Sequence, residues 1–267
     1  MLPDMIDTII AEAQQQVNLC NDNKENLKFC LSCVDLTTLE GVDNDKKVKQ
    51  LCQKAKLYVP QVASVCVYPV FINTAKSILS DEPVKVASVA GAFPAGQSPL
   101  AIKVTEVEYA VQQGADEIDM VISRGKFLDK QYDEVAEEIA EIRKACKHIV
   151  LKVILETGEL QTTENIYRAS LLAMQAGADF IKTSTGKCAV GATPQAVVVM
   201  LQAIKDFYTQ TKKMVGLKVA GGITTIEDVL LYRQLVENML GKNSLQKKYF
   251  RIGTSRLADK LQTAILG

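Results

Sequence analysis

Two lysines lie in short apolar segments, where a charged side chain is uncommon. Lys182 lies in the run Phe180–Ser184, and Lys218 lies in the run Val215–Val219. A lysine amine is a nucleophile only when it is neutral, and burial or a second nearby cation lowers its pKa towards about 7–8. Neighbouring strands of a sheet lie about 4.8 Å apart, so two such lysines at one level would repel each other and keep one amine neutral. The pair therefore predicts imine formation with a carbonyl compound.

Further charged residues interrupt apolar segments at or near their ends. They are Asp35, Asp119, Lys152 and Glu156. A charge inside an apolar strand must be paired, because desolvating a lone charge is expensive. Two interpretations are open, a purely structural network of buried ion pairs and an active site. Lysines on three successive predicted strands favour the active site.

Glycine-rich loops follow the last two predicted strands. Gly221 and Gly222 follow the seventh strand, and Gly253-Thr254-Ser255 follows the eighth strand and leads into a helix. In a parallel barrel these two loops and a helix N-terminus commonly bind phosphate through backbone N–H groups. Glycines also serve plain turns, but two such loops in the expected places favour a phosphate site.

The composition excludes several classes of chemistry. His148 is the one histidine of the sequence, so we expect neither Ser–His–Asp or Cys–His catalysis nor a metal site of several histidines. The seven cysteines are scattered, and the C-x-x-C pair Cys30 and Cys33 has no second pair, which favours buried thiols over zinc or redox function. We therefore expect no metal and no cofactor.

Charge and hydropathy indicate a soluble, cytoplasmic protein. Lys+Arg and Asp+Glu number 31 each, a balance that argues against nucleic acid or a membrane surface as a partner. No apolar run reaches the roughly 18 residues of a membrane-spanning helix. The acidic start of the sequence lacks the basic region of a secretory signal peptide.

Apolar and amphipathic segments alternate along the 267 residues. The apolar runs, typical of parallel strands covered on both faces, are Phe29–Val34, Ser64–Tyr68, Val84–Val89, Glu117–Ile122, Ile149–Leu155, Phe180–Ser184, Val215–Val219 and Phe250–Gly253. Eight such strands alternating with eight helices predict a (β/α)8 TIM barrel, with an extra N-terminal helix at about Ile6–Asn21. The main alternative, a doubly wound sheet, would place a glycine-rich turn where the sequence reads Val34–Thr38. We expect one domain, residues 1–267, with residues 1–28 as its helical extension.

Several local signals place the helix ends. The segment Lys130–Lys147 has apolar residues at helical spacing, and Thr193-Pro194 is a typical helix start. Thr224-x-x-Glu227 predicts a capping box for the next helix. Gly114 and Gly177 are expected to end helices just ahead of strands.

Several runs of the sequence resemble the deoxyribose-phosphate aldolase family. The runs are Lys152–Leu160, Ala176–Lys187, Lys218–Ile223 and Arg251–Ser255, with Asp35–Leu39, Cys66–Pro69 and Gly114–Asp119 extending the likeness to the first strand. The likeness covers roughly residues 29–258 in matching order, and the run around Lys182 is its most specific part. The resemblance implies a (β/α)8 fold and a class I aldolase. Such an enzyme reversibly cleaves 2-deoxy-D-ribose 5-phosphate to D-glyceraldehyde 3-phosphate and acetaldehyde, in deoxynucleoside breakdown.

The resemblance also implies roles for individual residues. It implies that Lys182 is the Schiff-base lysine and that Lys218 perturbs the Lys182 amine and takes part in proton transfer. It also implies that Asp119 is the acid/base that works with an ordered water. Asp35 and Lys187 match positions that help to hold substrate hydroxyls and the charge network, and Cys66 matches a cysteine near the pocket without an obligatory role. Substrate and phosphate contacts of the family fall on Thr185, Gly186, Gly221, Gly222, Gly253, Thr254 and Ser255.

One residue departs from the family pattern. Arg256 follows Ser255 where some relatives have a second small hydroxyl residue, so its charge is expected to alter phosphate binding. Two alternatives are open: another Schiff-base or phosphate-binding barrel with a different carbonyl substrate, and a barrel that has lost catalysis and serves as a scaffold. We expect a small phosphosugar as the partner and a homodimer or other homo-oligomer as the assembly.

Overall fold

The computed structural model describes residues 2–19 and 24–267. Eight parallel strands close into a barrel in sequence order, which confirms the predicted (β/α)8 fold. The strands are β1 (Val34–Thr37), β2 (Ser64–Val67), β3 (Lys85–Ala90), β4 (Glu117–Val121), β5 (Val150–Ile154), β6 (Phe180–Lys182), β7 (Gly216–Ala220) and β8 (Phe250–Thr254). Nearly every strand residue is buried, because side chains fill the barrel on one face and helices cover the other.

Helices surround the barrel and extend it at the N-terminus. In the described part of the chain they are α1 (Leu2–Leu19), α2 (Lys24–Ser32), α3 (Asp45–Leu57), α4 (Ile72–Leu79), α5 (Leu100–Gln112), α6 (Arg124–Leu128), α7 (Tyr132–Cys146), α8 (Thr163–Gln175), α9 (Pro194–Thr211), α10 (Ile226–Leu240) and α11 (Leu257–Leu266). Helix α1 matches the expected N-terminal helix, whose predicted end at Asn21 lies outside the described residues, and it packs against α9 and α10. Within residues 2–19 and 24–267, no helix is long and apolar enough to cross a membrane.

The first strand begins later in the sequence than the apolar pattern predicts. Residues 29–32, expected as its start, form the end of α2, and β1 begins at Val34. The buried residues of α2 are Leu27, Cys30 and Leu31, whose spacing of three and four is that of a helix face. The ring of Phe29 stacks on that of Phe250 with centroids 6.3 Å apart. This helix therefore packs beside the N-terminal end of β8 and leads directly into β1.

The local helix signals were largely correct. Thr193 caps α9 by accepting the N–H of Ala196, and Gly114 and Gly177 have positive φ angles of 93° and 107°. The capping box of α10 was predicted one residue too early, since it is formed by Thr225 and Asp228. The Asp228 carboxylate accepts the Thr225 N–H at 3.0 Å, which its short side chain can reach from the third helical position.

The strand register brings charged residues together inside the barrel. Lys182 on β6 is paired in register with Lys218 on β7, and Asp119 on β4 is paired with Lys152 on β5. Lys218 is also level with Arg251 on β8. The two lysines that the sequence suggested as neighbours therefore lie at one level of the barrel.

Candidate active site

A carboxylate lies at the centre of the three lysines in the barrel. Asp119 accepts a hydrogen bond from Lys152 through Oδ1 at 2.8 Å, and from Lys182 and Lys218 through Oδ2, each at 2.7 Å. All four side chains are buried. The two lysines of β6 and β7 thus share one carboxylate oxygen, a feature that the sequence pattern alone did not indicate.

A second layer of ion pairs lies beneath this carboxylate. Asp35 accepts from Lys218 at 2.6 Å and from Arg251 at 2.7 Å, and Glu117 pairs with Lys152 at 2.6 Å and with Arg251 at 2.7 Å. Sequence reasoning missed Glu117 and Arg251. Both are charged residues in apolar strands, but they stand at or next to the start of a strand, where a charge commonly reaches solvent.

Lys182 differs electrostatically from the other two lysines. Burial lowers the pKa of Lys182, and the Lys218 ammonium lowers it further, against the opposing effect of Asp119. Burial would also lower the pKa of Lys218, but Asp119 and Asp35 together raise it above its ordinary value. Lys152 likewise has a raised pKa because of its carboxylate neighbours. Of the three amines, Lys182 therefore loses its proton most readily, which is what a lysine nucleophile requires.

Lys182 is also the member of this cluster that reaches a cavity. The cavity of about 290 Å³ lies at the carboxyl ends of the strands, where active sites of this fold are found. Among the residues proposed from the sequence, those that line it are Lys182, Thr185, Gly186, Lys187, Gly221, Gly222, Gly253, Thr254 and Ser255. Asp35, Asp119 and Lys218 are buried beside or below Lys182.

Cys66 is a protonated thiol within the barrel. Burial raises its pKa to about 11, and its side chain packs with Leu39, Ala87 and Val89. A thiol with a raised pKa is a poor nucleophile at neutral pH, so Cys66 acts as a small apolar residue near the lysines.

Three glycines that line the cavity lie at the ends of two strands, two directly after β7 and one near the end of β8. Gly221 and Gly222 have φ angles of 83° and 77°, a conformation that residues with a Cβ rarely adopt. A Cβ on Gly253 would lie 2.9 Å from the Ala220 Cβ and 3.1 Å from the Lys218 Cε. Positive φ angles thus favour glycine at 221 and 222, and the packing of Ala220 and Lys218 requires it at 253.

The loop after β8 leads into the N-terminus of α11. The hydroxyl oxygen of Thr254 accepts the N–H of Leu257 at 3.2 Å and so caps the helix. Ser255 and Arg256 are exposed and line the same end of the cavity. A helix N-terminus with an adjacent arginine attracts an anion.

The loop after β6 is held by a buried carboxylate. Glu156, itself in the left-handed conformation at φ 57°, accepts the Thr185 hydroxyl at 2.5 Å and the Thr185 N–H at 3.2 Å. Arg124 pairs with Glu156 at 3.2 Å. Lys187 pairs with Glu40 at 3.0 Å at the rim of the cavity. It therefore lies outside the buried charge cluster, whereas the family resemblance implies a role in the charge network. Glu156 thus fixes the loop and does not contact the lysines.

These features define a class of protein. A (β/α)8 barrel with a readily deprotonated lysine, at a cavity lined by glycines and a helix N-terminus, is the arrangement of an imine-forming aldolase. Residues 29–254 match the family described as DeoC/LacD family aldolase, and the chain belongs to that family.

Similar proteins include relatives from animals and bacteria. The deoxyribose-phosphate aldolase of Homo sapiens is 43% identical over 248 residues, which cover 87% of this chain and 78% of the human protein. That of Agrobacterium fabrum is 43% identical over 246 residues, covering 91% of this chain and 93% of the bacterial protein. The solved structure of the tetrameric deoxyribose phosphate aldolase from Aeropyrum pernix has a TM-score of 0.74 and 26% identity, and the match covers 96% of this chain and 97% of that one.

Proposed function

We propose that the chain reversibly cleaves 2-deoxy-D-ribose 5-phosphate to D-glyceraldehyde 3-phosphate and acetaldehyde through an imine on Lys182. The observation that carries this proposal is that Lys182 combines a lowered pKa with a place on the cavity wall. The relatives named deoxyribose-phosphate aldolase, 43% identical to this chain, support the substrate.

The chemistry divides between three residues. The Lys182 amine attacks the C1 aldehyde of the open-chain sugar, and loss of water gives a protonated imine. This imine accepts the electron pair of the C2–C3 bond as that bond breaks, while the C3 hydroxyl proton passes to a base. We assign the proton transfers to Asp119 and Lys218, acting through water, because Asp119 Oδ2 accepts hydrogen bonds from Lys182 and from Lys218, each at 2.7 Å. Protonation of the enamine carbon and hydrolysis then release acetaldehyde and restore the amine.

The direct test is an assay of acetaldehyde release. The purified chain is incubated with 2-deoxy-D-ribose 5-phosphate, and acetaldehyde is followed by its reduction with a coupled dehydrogenase. We expect steady release of acetaldehyde with equal amounts of glyceraldehyde 3-phosphate. Faster cleavage of another phosphosugar would assign a different substrate, and no cleavage together with no imine would indicate a barrel that has lost catalysis.

Replacement of Lys218 by leucine tests its electrostatic effect on Lys182. The change removes a cation and leaves the Asp119 oxygen to Lys182 alone, and both effects raise the pKa of Lys182. Activity at neutral pH should fall, and the ascending limb of the pH–rate profile should move to higher pH by about 1–3 units. If the ascending limb stays at the same pH while the maximal rate falls, Lys218 acts in proton transfer alone.

The phosphate is assigned to the loops after β7 and β8. Ser255→Glu places a negative charge at that end of the cavity, so kcat/KM for 2-deoxy-D-ribose 5-phosphate should fall by about 100-fold, the size of a 2–3 kcal/mol repulsion. Unphosphorylated deoxyribose should be affected much less. Ser80→Glu, at an exposed position after α4, is the matched control and should change neither value. Equal losses on both substrates for Ser255→Glu would place the phosphate elsewhere.

Assembly and location complete the proposal. We propose that residues 1–267 act as one domain and form a homo-oligomer, which is supported by the tetrameric relative from Aeropyrum pernix. A cytoplasmic location is supported by six free cysteines in the described part of the chain, since such thiols are typical of a reducing compartment.

A further inference from the structure

The interior of the barrel holds more cations than carboxylates. The charged side chains in contact with one another there are four cations, Lys152, Lys182, Lys218 and Arg251, and three carboxylates, Asp35, Glu117 and Asp119. All seven are buried. A buried charge without a partner is expensive, so one proton is held more weakly than the others.

The partners are divided unequally among the four cations. Arg251 contacts Asp35 and Glu117, each at 2.7 Å, and each of Lys152 and Lys218 also lies within 2.9 Å of two carboxylates. Lys182 has one carboxylate partner in the described chain, Asp119, and shares it with both other lysines. The weakly held proton is therefore the one on Lys182.

We propose that Arg251 and Glu117 are positioning residues that set this balance of charge in opposite directions, Arg251 favouring the neutral, imine-forming amine of Lys182 and Glu117 favouring its protonated form. Neither residue contacts Lys182 or lines the cavity. The inference rests on the proposed function in one respect, namely that Lys182 is the imine-forming residue.

The contacts show how Arg251 acts at a distance. Its guanidinium occupies Oδ1 of Asp35 and both oxygens of Glu117. Without it, these carboxylates would bind Lys218 and Lys152 more strongly, and those lysines would release Asp119. Asp119 would then pair with Lys182 and hold its proton. Glu117 has the opposite effect on Lys182, because its carboxylate pairs with Lys152 and Arg251. Its loss would leave the cluster with two more cations than carboxylates, which favours loss of the Lys182 proton.

No other titratable side chain on the strands offsets this balance. Cys66 on β2 has a raised pKa and stays neutral. On β3 the one titratable residue, Lys85, is exposed, and Ala87 and Val89 face the interior. Glu156, beyond the end of β5, pairs with Arg124. At the cavity, Lys187 pairs with Glu40 at the rim and Arg256 is exposed, so solvent screens these charges. The buried charges that act on Lys182 are therefore those of the six other members of the cluster.

The test measures how pH controls imine formation at Lys182. Acetaldehyde and cyanoborohydride are added over a range of pH, and the rate of ethyl addition to Lys182 is followed by peptide mass spectrometry. Arg251→Met should move the midpoint of this profile to higher pH by about one unit, the effect of one charge about 10 Å away at an effective dielectric constant of about 20. Glu117→Gln should move it to lower pH by a similar amount. The double variant has three cations and two carboxylates, so its midpoint should return towards that of the unaltered chain.

Two further variants separate charge from structure. Arg251→Lys retains the charge and should stay within about 0.3 units of the original midpoint if charge is the cause. Arg233→Met removes a buried arginine that pairs with Glu237 on α10, outside the barrel, and should not move the midpoint. If Arg251→Met does not fold, Glu117→Gln still decides the question, because its midpoint must move to lower pH and that of the double variant must return.

Opposite shifts for the two single variants, cancelled in the double variant, support the inference. Shifts in the same direction, unchanged midpoints, or a double variant displaced further than either single variant would overturn it. If the unaltered chain takes up no ethyl group at Lys182, the proposed function itself fails. The two failures are therefore distinguishable.

Discussion

Replacement of Lys182 by alanine should abolish cleavage of 2-deoxy-D-ribose 5-phosphate while the barrel stays folded. The change removes the amine that forms the covalent intermediate, and the loss in kcat should be on the order of 10⁶, the size seen when the nucleophile of a covalent enzyme is removed. The fold should survive because Lys182 has one ion-pair partner, which Lys152 and Lys218 still neutralise.

Borohydride trapping tests directly whether Lys182 is the residue that forms the imine. Acetaldehyde and borohydride should add one two-carbon group to Lys182 in the unaltered chain and none in Lys182→Ala, with thermal unfolding recorded for both. Lys103→Met is the matched control, since Lys103 is equally buried but pairs with Glu138 on the outside of the barrel. It should retain the label at Lys182. A label on Lys218 or Lys187 would reverse the assignment.

The features that depend on strand order and spacing could be predicted from the sequence. Apolar runs that contain Lys182 and Lys218 follow each other in the chain, and consecutive strands of a (β/α)8 barrel are neighbours, so the two lysines had to be close. The place of the glycines at the ends of β7 and β8, on the same side of the barrel, could be predicted from the same strand order. Each of these inferences needs the sequence of elements and no detail of side-chain packing.

The features that depend on packing between distant segments could not be predicted in this way. Residues 29–34 are apolar apart from Ser32, so periodicity does not distinguish a buried strand from a buried helix. The stacking of Phe29 on Phe250 contributes to the outcome. Likewise, no local signal shows that Arg251 bridges Asp35 and Glu117 from two other strands. The charge balance that governs Lys182 is a property of the closed barrel.

Replacement of Asp119 by asparagine should separate imine formation from proton transfer. The amide cannot carry the proton that the carboxylate carries, so turnover should fall by about 10²–10⁴. The three lysines that now hold the pKa of Asp119 well below its usual range would lose their shared partner. The free energy of unfolding should fall by about 3–5 kcal/mol, the cost of breaking a buried ion pair from one side.

Imine formation should respond in the opposite sense to turnover. Loss of the Asp119 carboxylate removes the group that raises the pKa of Lys182, so the midpoint for trapping with acetaldehyde and cyanoborohydride should move to lower pH. Asp116→Asn, three residues earlier in the sequence, is the matched control because Asp116 pairs with Lys76 outside the barrel. It should leave both turnover and the trapping midpoint in place. Full turnover in Asp119→Asn would make this carboxylate a structural partner of the lysines, and the acid and base would have to be sought in Lys218 and water.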